Sequence, residues 1–333
     1  MGNVADKSSP GVSIVIPTWE GKELLEKFLP SVLKAAKACG RPWETIVSDD
    51  HSSDSTVDFL KKCFPEVRVL RTNVRRGFAG ASNAGFKESK HEVVVLLNND
   101  TDVSEDFLEP LLGHFKNENV FGVLCKCYDL DGKLFRDGGK IGEFRRGFFR
   151  VHRNYDVDPG RKTSSEPYLS FMAGGAFSAF SSDKLDALGG FDESFVPFNW
   201  EDADLSYRAW KRGWEIHFEP TSVVRHRPNT TVGTFRKAYV KAISRRNRLL
   251  FVWKNLSDRD KLFQHSLFLL LQSILAFLRL DFLHFASLSM AVAKLSRISD
   301  ARREEKQKMR RSDREVLTLL KECYERPEVV VVD

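Results

Sequence analysis

The sequence predicts an α/β fold with a mainly parallel central sheet, followed by a helical C-terminal extension. Three observations carry this. Over residues 12–97 short apolar runs alternate with amphipathic helical patterns, the arrangement of parallel strands joined by crossover helices. Beyond residue 234 the chain changes character, to a basic helical pattern and then long apolar stretches. The composition, 42% hydrophobic and 29% charged over 333 residues, is that of a globular chain able to bury a large core. It excludes collagen-like, low-complexity and wholly disordered readings.

Residues 12–16 are an apolar strand ending at Pro17, and residues 22–39 a helix whose stripe is Leu24, Leu25, Phe28, Leu29, Val32 and Leu33. Residues 45–47 form the next strand, and Asp54 and Ser55 can cap a helix over 57–63. A strand at 67–70, a helix at 78–88 and a continuous apolar strand at 92–97 complete the alternation. From 120 to 180 this order breaks down. Glycine is dense at 132–147, and Arg145, Arg146, Arg150 and Arg153 alternate with Phe144, Phe148 and Phe149, which reads as hairpins and loops. Residues 176–180, a helix capped near Ser182, a helix at 202–212 and two short strands near 214–218 and 221–225 follow. Residues 234–253 read as a basic helix. Residues 262–278 are nearly all apolar, falling slightly short of the roughly 20 residues of a membrane span and containing Gln264, His265 and Gln272. Residues 285–293 are apolar again, and 300–316 carry dense charge of both signs, suggesting a solvated helix or tail. The expected organisation is a flexible terminus (1–10), a main α/β domain (11–233) and the helical extension (234–333).

Lysine and arginine number 52 against 46 acidic residues, a mild excess with both signs mixed along the chain, so nucleic acid is not an expected partner. The five cysteines are irregularly spaced and suggest neither a disulfide framework nor a zinc site. A reducing compartment is expected. The first ten residues are polar and lack the apolar core of a signal peptide, so the expected location is the cytosol.

Phosphate-binding motifs fail on inspection. Gly77-Phe78-Ala79-Gly80 misplaces the second glycine of a dinucleotide fingerprint, and residues 80–87 nearly match a P-loop but carry Phe86 in place of its lysine. Carboxylates remain. Thr18 and Glu20, Asp49 and Asp50, and 98–102 all follow strands, on the sheet edge where open α/β folds bind ligands. Asp100, after Asn98 and Asn99 and before Thr101 and Asp102, offers a hard ligand for Mg²⁺ or Mn²⁺ shared with substrate phosphates, or else closes a polar turn. A second cluster (Asp192, Glu193, Glu201, Asp202 and Asp204) sits among Phe195, Phe198 and Trp200. The dipole at a helix start favours one or two acids, by about 0.3–1 kcal/mol each. Aromatic walls additionally raise a carboxyl pKa toward that of a general base. His226 follows a strand, where a lone histidine is usually structural or surface.

Taken together, these segments resemble family 2 inverting glycosyltransferases of the GT-A (Rossmann-like) fold, most closely the rhamnosyltransferase-like branch that builds bacterial surface polysaccharides. The resemblance rests on Ser13 to Thr18, Val47 to Asp50 with Ser53-Asp54, Arg76 to Gly85, Leu97 to Thr101, Gly189 to Glu193, and Glu201 to Leu205 with Arg208 and Gly213, in the family's order over about 11–230. It implies that Pro17, Thr18, Glu20 and Asp49 hold the base and ribose of a nucleotide sugar. Gly77, Phe78 and Asn83 would line that pocket, and Gly174 and Gly175 lie beside the donor sugar. Asn98-Asn99-Asp100 stands at the family's DxD position with its first acid replaced. Metal (Mg²⁺ or Mn²⁺) would then rest on Asp100 and His226, supported by Asp102. Glu201-Asp202 matches the ED motif, with Asp202 as catalytic base.

The implied reaction is transfer of a sugar, rhamnose from dTDP-rhamnose or a hexose from a UDP-sugar, onto a polyprenyl-diphosphate-linked or glycan acceptor. Trp200, Arg145, Arg146 and Arg150 are candidate acceptor contacts. A sugar-nucleotide pyrophosphorylase would need a glycine-rich basic loop near the N-terminus, which 17–24 lack, and a non-catalytic membrane scaffold would have no need of Asp100 and Asp202. Of the 26 phenylalanines, Phe144, Phe148, Phe149, Phe191, Phe195 and Phe198 lie beside the acidic and basic loops, and a second group, Phe251, Phe263, Phe268, Phe277, Phe282 and Phe285, lies in the extension. A Phe-rich apolar segment beside a basic helix fits a peripheral enzyme on the inner face of the cytoplasmic membrane, or a homo-oligomer interface.

Overall fold

The structure, a computed structural model, describes residues 10–226 and 235–332, except the Arg136 side chain. All but the last residue of the expected flexible terminus, and the expected boundary between 233 and 234, lie outside the described residues.

β1 (Val12–Thr18), α1 (Lys22–Ala38), β2 (Trp43–Asp49), α2 (Thr56–Cys63), β3 (Arg68–Arg71), α3 (Gly77–Glu88) and β4 (Val93–Leu97) follow the alternation read from the sequence. β1 and β4 are buried along their whole length, as befits continuous Val/Ile/Leu runs covered on both faces. α1 buries Leu25, Phe28, Leu29, Val32 and Leu33 against them. The cap of α2 differs from expectation. Asp54 Oδ1 accepts from Thr56 N at 3.0 Å and from Thr56 Oγ1 at 2.6 Å, while Ser55 makes no side-chain cap.

The chain continues through β5 (Thr101–Val103), α4 (Leu108–Gly113), β6 (Val120–Tyr128), β7 (Phe135–Asp137), β8 (Gly139–Arg145), β9 (Phe148–Val157), β10 (Tyr168–Leu169), β11 (Phe177–Ser181), α5 (Ser182–Leu188), α6 (Glu201–Lys211) and β12 (Glu215–His226). The main sheet runs β10-β12-β6-β11-β4-β1-β2-β3, with β5 added to β12 and β7 to β6. Pairing is parallel among β4, β1, β2 and β3 and between β6 and β12; β11 is antiparallel between β4 and β6. The two strands expected at 214–225 are one. Glu219 Oε1 accepts from Thr221 N and Oγ1, and this local turn shifts the register between Glu219 and Val223 without ending β12.

α7 (Lys237–Asn255), α8 (Arg259–Leu278), α9 (Phe282–Val292), α10 (Leu295–Lys308), α11 (Asp313–Tyr324) and β13 (Val329–Val332) complete the chain. Their sequence suggested an appendage, but they share the core of the α/β body: Leu249, Leu250, Phe251, Val316 and Leu320 are buried with Phe149, Tyr207 and Trp210. β13 pairs with β9 beside β8 in a second, three-stranded sheet. The charged stretch 300–316 is likewise not simply solvated. Asp313 is fully buried, accepting from Lys211 Nζ at 2.8 Å, Tyr207 OH at 2.7 Å and the backbone N–H groups of Ser257 and Asp258 at 2.7 Å each. Burial alone would raise its pKa, but Lys211 and these donors hold it below the ordinary value.

Candidate active site

The register places three strand ends side by side, Thr18 opposite Asp49 on one flank and β4 on the other. Asn99 Nδ2 donates to Thr18 Oγ1 at 2.8 Å, tying the ends of β1 and β4. Pro17 pairs with Ser48 one step behind. Asp49 is fully buried; Oδ2 accepts from Ser52 N at 3.1 Å, while Oδ1 has no hydrogen-bond partner among the described residues. A buried carboxylate oxygen in that state is costly unless a ligand donates to it. Glu20, at φ +49°, accepts from both Ser53 N and Ser53 Oγ at 2.8 Å and donates its own N–H to Ser52 Oγ.

Asp50 was read from the sequence with Asp49 as a strand-end acid at the ligand edge, whereas Trp19 was not singled out. Asp50 accepts from Arg76 N and Gly77 N at 2.7 Å each, so it occupies the first donors of α3. Gly77 sits at φ +72°, the left-handed region glycine enters without strain. Trp19 is exposed, with the Arg75 guanidinium 3.5 Å from its ring centroid. An aromatic directly after a strand end was the available signal for Trp19. Nothing local marks Asp50 as an anchor for residues 26 positions on. Asn83, expected to line the pocket, instead pairs through both ends of its amide with the backbone of Phe191, at 2.9 Å each.

β5 returns antiparallel to β12, and its register sets His226 opposite Thr101. That pairing brings His226 Nε2 to 2.9 Å from Asp100 Oδ1 and 3.3 Å from Asn98 Nδ2, with the Phe177 ring 6.0 Å from the imidazole. Asp102 pairs with Arg225 at 3.3 Å, one step along the same ladder. Among the described residues no three His, Cys, Asp or Glu side chains converge on a metal position. Among the described residues the site thus offers one carboxylate and one imidazole. This set fits Mn²⁺, or Mg²⁺ less well because of the imidazole, when diphosphate oxygens and water complete the shell.

Glu201 and Asp202 open α6, after Asn199 at φ +69° and Trp200 at φ +76°. Asp202 Oδ1 accepts from Ala203 N at 2.7 Å, and the Gly175 backbone also bonds its carboxylate. Burial raises the Asp202 pKa against these bonds and the charge of Lys140. Glu201 Oε2 is buried without a partner, and burial followed by the Asp202 charge pushes Glu201 up to about 8. Burial and the neighbouring charge thus favour the protonated form of Glu201, while the Asp202 carboxylate keeps the Ala203 and Gly175 backbone bonds that oppose its own upward shift.

The loop at 174–176 joins the two acidic centres. Asn98 N donates to Ala176 O at 2.9 Å on the Asp100 side, and Gly175 bonds Asp202 on the other. A Cβ on Gly175 would lie 2.8 Å from the Phe78 ring and force that ring to shift; Gly174 has no such close contact. The loop ahead of α6 is held from the C-terminal region. Asn247 Nδ2 lies within 2.5–2.9 Å of the Phe195, Phe198 and Asn199 carbonyls, Arg246 donates to Val196 O at 2.6 Å, and Asn199 Nδ2 donates to Ser244 Oγ at 2.7 Å. Trp200 packs on Phe251 with centroids 5.0 Å apart. Sequence reading missed this clamp, because Arg246 and Asn247 look like ordinary polar positions of a basic helix. Asp204, counted with the acidic cluster, is structural: it accepts from Arg208, Lys254 and Asn255 at 2.8 Å each.

Arg145 and Arg146 lie at the tip of the β8–β9 hairpin. Gly147 O there accepts from His265 Nδ1 of α8 at 2.8 Å. Arg145 is five residues, about 16 Å of strand, beyond Lys140, the β8 residue whose charge reaches Asp202. Arg150 pairs across the hairpin with Glu143, and its Nε is buried without a partner.

This is the GT-A class of fold: a mainly parallel nucleotide-binding sheet carrying a polar carboxyl edge, a mixed flank and a helical C-terminal region. Residues 13–189, more than half of the chain, match the family model described as glycosyl transferase family 2, and the chain belongs to that family. N-acetylgalactosaminyltransferase 6 of Drosophila melanogaster is 31% identical over 55% of this chain and 29% of its own length. The chain spans about a third of the length of the curated relatives it matches first. Among solved structures, GalNAc-T7 with UDP, GalNAc and Mn²⁺ aligns at TM-score 0.58 and 20% identity, over 76% of this chain and 49% of that one. Mannosyltransferase PcManGT of Pyrobaculum calidifontis, in complex with GDP-Man and Mn²⁺, aligns at 0.54 and 16%, over 86% and 87%. At these identities the structures speak to the fold.

Proposed function

We propose that the chain is a metal-dependent inverting glycosyltransferase that moves a sugar from a UDP- or dTDP-linked donor onto a lipid-linked or polysaccharide acceptor. The observation that carries this reading is the loop at 174–176, whose Ala176 carbonyl holds Asn98, two residues before Asp100 of the Asp100–His226 pair, and whose Gly175 backbone bonds Asp202. In this reading the orphan Asp49 oxygen accepts from the base or ribose of the donor, and Glu20 and Thr18 shape that end. Asp100 and His226 hold a divalent cation, which when bound offsets charge on the diphosphate leaving group. Asp202 takes the proton of the acceptor hydroxyl as its oxygen attacks the anomeric carbon, and the bond to the diphosphate breaks in the same displacement. Glu201 keeps its proton and so leaves Asp202 as the base.

The names of the relatives put a UDP-N-acetylhexosamine first among donors to test, with dTDP-rhamnose, suggested by the rhamnosyltransferase-like motifs, second. Work at the inner face of the cytoplasmic membrane is supported by α8, which is long and apolar enough to cross a membrane by length and composition. Its buried Lys261 and His265 face the protein, which favours a helix lying in the interface over one that spans. The test is Asp202→Asn: transfer should fall by about 10²–10⁴-fold while nucleotide affinity stays within about twofold of wild type. Near wild-type turnover in that variant would remove the base assignment.

A further inference from the structure

α7 has two functional faces. Ser244, Asn247 and Phe251 turn toward the loop that carries Glu201 and Asp202. Arg245, Arg248 and Leu249 turn the other way and, with α8 and α9, line a pocket of about 340 Å³. A pocket of that size accommodates a small ligand. Arg279, Gln272, His284 and Ser287 complete its polar wall, and Asp281 is the one acid among its lining residues, paired with Arg245 at 3.0 Å. Among the described residues Arg248 donates only Nε, to the Phe149 carbonyl at 2.9 Å, and Arg279 has no ion pair. Burial, then the charge of neighbouring Arg150, push the Arg248 guanidinium down to about 10. Crowded guanidinium groups short of counter-charge are a built place for an anion, and the arginine fork matches phosphate oxygens. Immediately beside the pocket, where α8 reverses into α9, Phe277, Leu278, Leu280 and Phe282 are each more than two-thirds exposed. An apolar patch of this kind on a protein surface marks an interaction site.

We infer that this pocket binds the phosphate headgroup of an anionic membrane phospholipid, with the exposed end of the α8–α9 hairpin entering the acyl boundary beside it. The inference rests on the membrane reading above and deepens it, replacing a general apolar attachment with a defined headgroup site. Charge and apolarity are adjacent here in the order a bilayer interface presents them, phosphate above hydrocarbon.

The test is co-sedimentation of the full chain with phosphatidylcholine vesicles, with and without about a third phosphatidylglycerol. Wild type should partition more strongly onto the anionic vesicles. Arg245→Gln with Arg279→Gln, both outside the candidate active site, should lose about fivefold in partitioning per charge removed, with the melting temperature of the exposed Arg279→Gln single variant unchanged. Phe277→Ser with Phe282→Ser should lose binding to both vesicle types. Wild-type partitioning by the arginine variants overturns the pocket alone and leaves membrane attachment standing. Absence of binding to any vesicle overturns both. Thermal stabilisation of wild type, but not of the arginine variants, by millimolar inorganic phosphate without preference for anionic vesicles overturns the lipid source in favour of a soluble phosphorylated ligand. Donor hydrolysis measured without vesicles reads the glycosyl-transfer assignment separately from all of these.

Discussion

The carboxyl edge of the sheet and the head of α6 are both acidic, and they are built in opposite ways. At the edge, Thr18, Glu20, Asp49 and Asp50 are held by partners on the neighbouring strand ends and the loops that follow them: Asn99, Ser52, Ser53, Arg76 and Gly77. At the head of α6 the backbone enters through two left-handed non-glycine residues, and its support comes from Ser244, Arg246 and Asn247, some fifty positions later in the chain. The first centre is a property of the parallel sheet; the second exists only when α7 is docked. Donor recognition and proton transfer should therefore fail separately.

The largest effect is expected at the point where the two centres meet. Asp100→Asn removes the one carboxylate facing His226, and should cut turnover by about 100-fold or more while raising the Mn²⁺ concentration for half-maximal rate. A variant with unchanged metal dependence would move the cation elsewhere. Next, Asn247→Ala removes the amide that holds the Phe195, Phe198 and Asn199 carbonyls, of which Phe195 keeps Arg246 at 3.4 Å, at a cost of about 1–3 kcal/mol. Misplacing the base lowers transfer by about 10²-fold. Nucleotide affinity, read by titration, should hold, because the Asn247 amide bonds the 195–199 loop and Arg246 rather than the sheet edge. Loss of both together would mean that the two centres are one cooperative unit. Smaller again, Asp49→Asn should raise the donor KM by about tenfold with kcat unchanged, the size of one charge-assisted hydrogen bond.

This contrast also explains what could be read from the sequence. The strands and helices of residues 12–97 were legible because strand and helix periodicities alternate there without interruption, and strand-end polar residues on a parallel sheet have one place to go. His226 meets Asp100 through the register of β5 on β12, which no local pattern encodes. Asn83 shows the limit from the other side: its motif pointed to the nucleotide, while both ends of its amide bond the Phe191 backbone. The C-terminal region read as an appendage because long-range partners such as Asp313 with Lys211, or β13 with β9, leave no trace in composition. A buried ion pair looks the same in sequence as a solvated charge.

Glu201→Gln should change the rate at neutral pH least, and its signature is in pH. Glu201 is raised from 4.5 to about 8 in the folded protein, first by burial and then by Asp202. Between those two values the folded state keeps a proton that the unfolded chain has released, so stability contributed at this position falls as pH rises from about 4.5 to about 8 and is level above. Glutamine cannot ionise. The melting temperature of Glu201→Gln should therefore match wild type near pH 5 and exceed it increasingly toward pH 8, by about 2–4 °C for each kcal/mol of relief. In the rate profile the inflection near pH 8 should vanish, while an acid limb set by Asp202 as the base should stay in place. Should the acid limb move instead, Glu201 is the member that ionises first, and the base has been assigned to the wrong carboxylate of the pair.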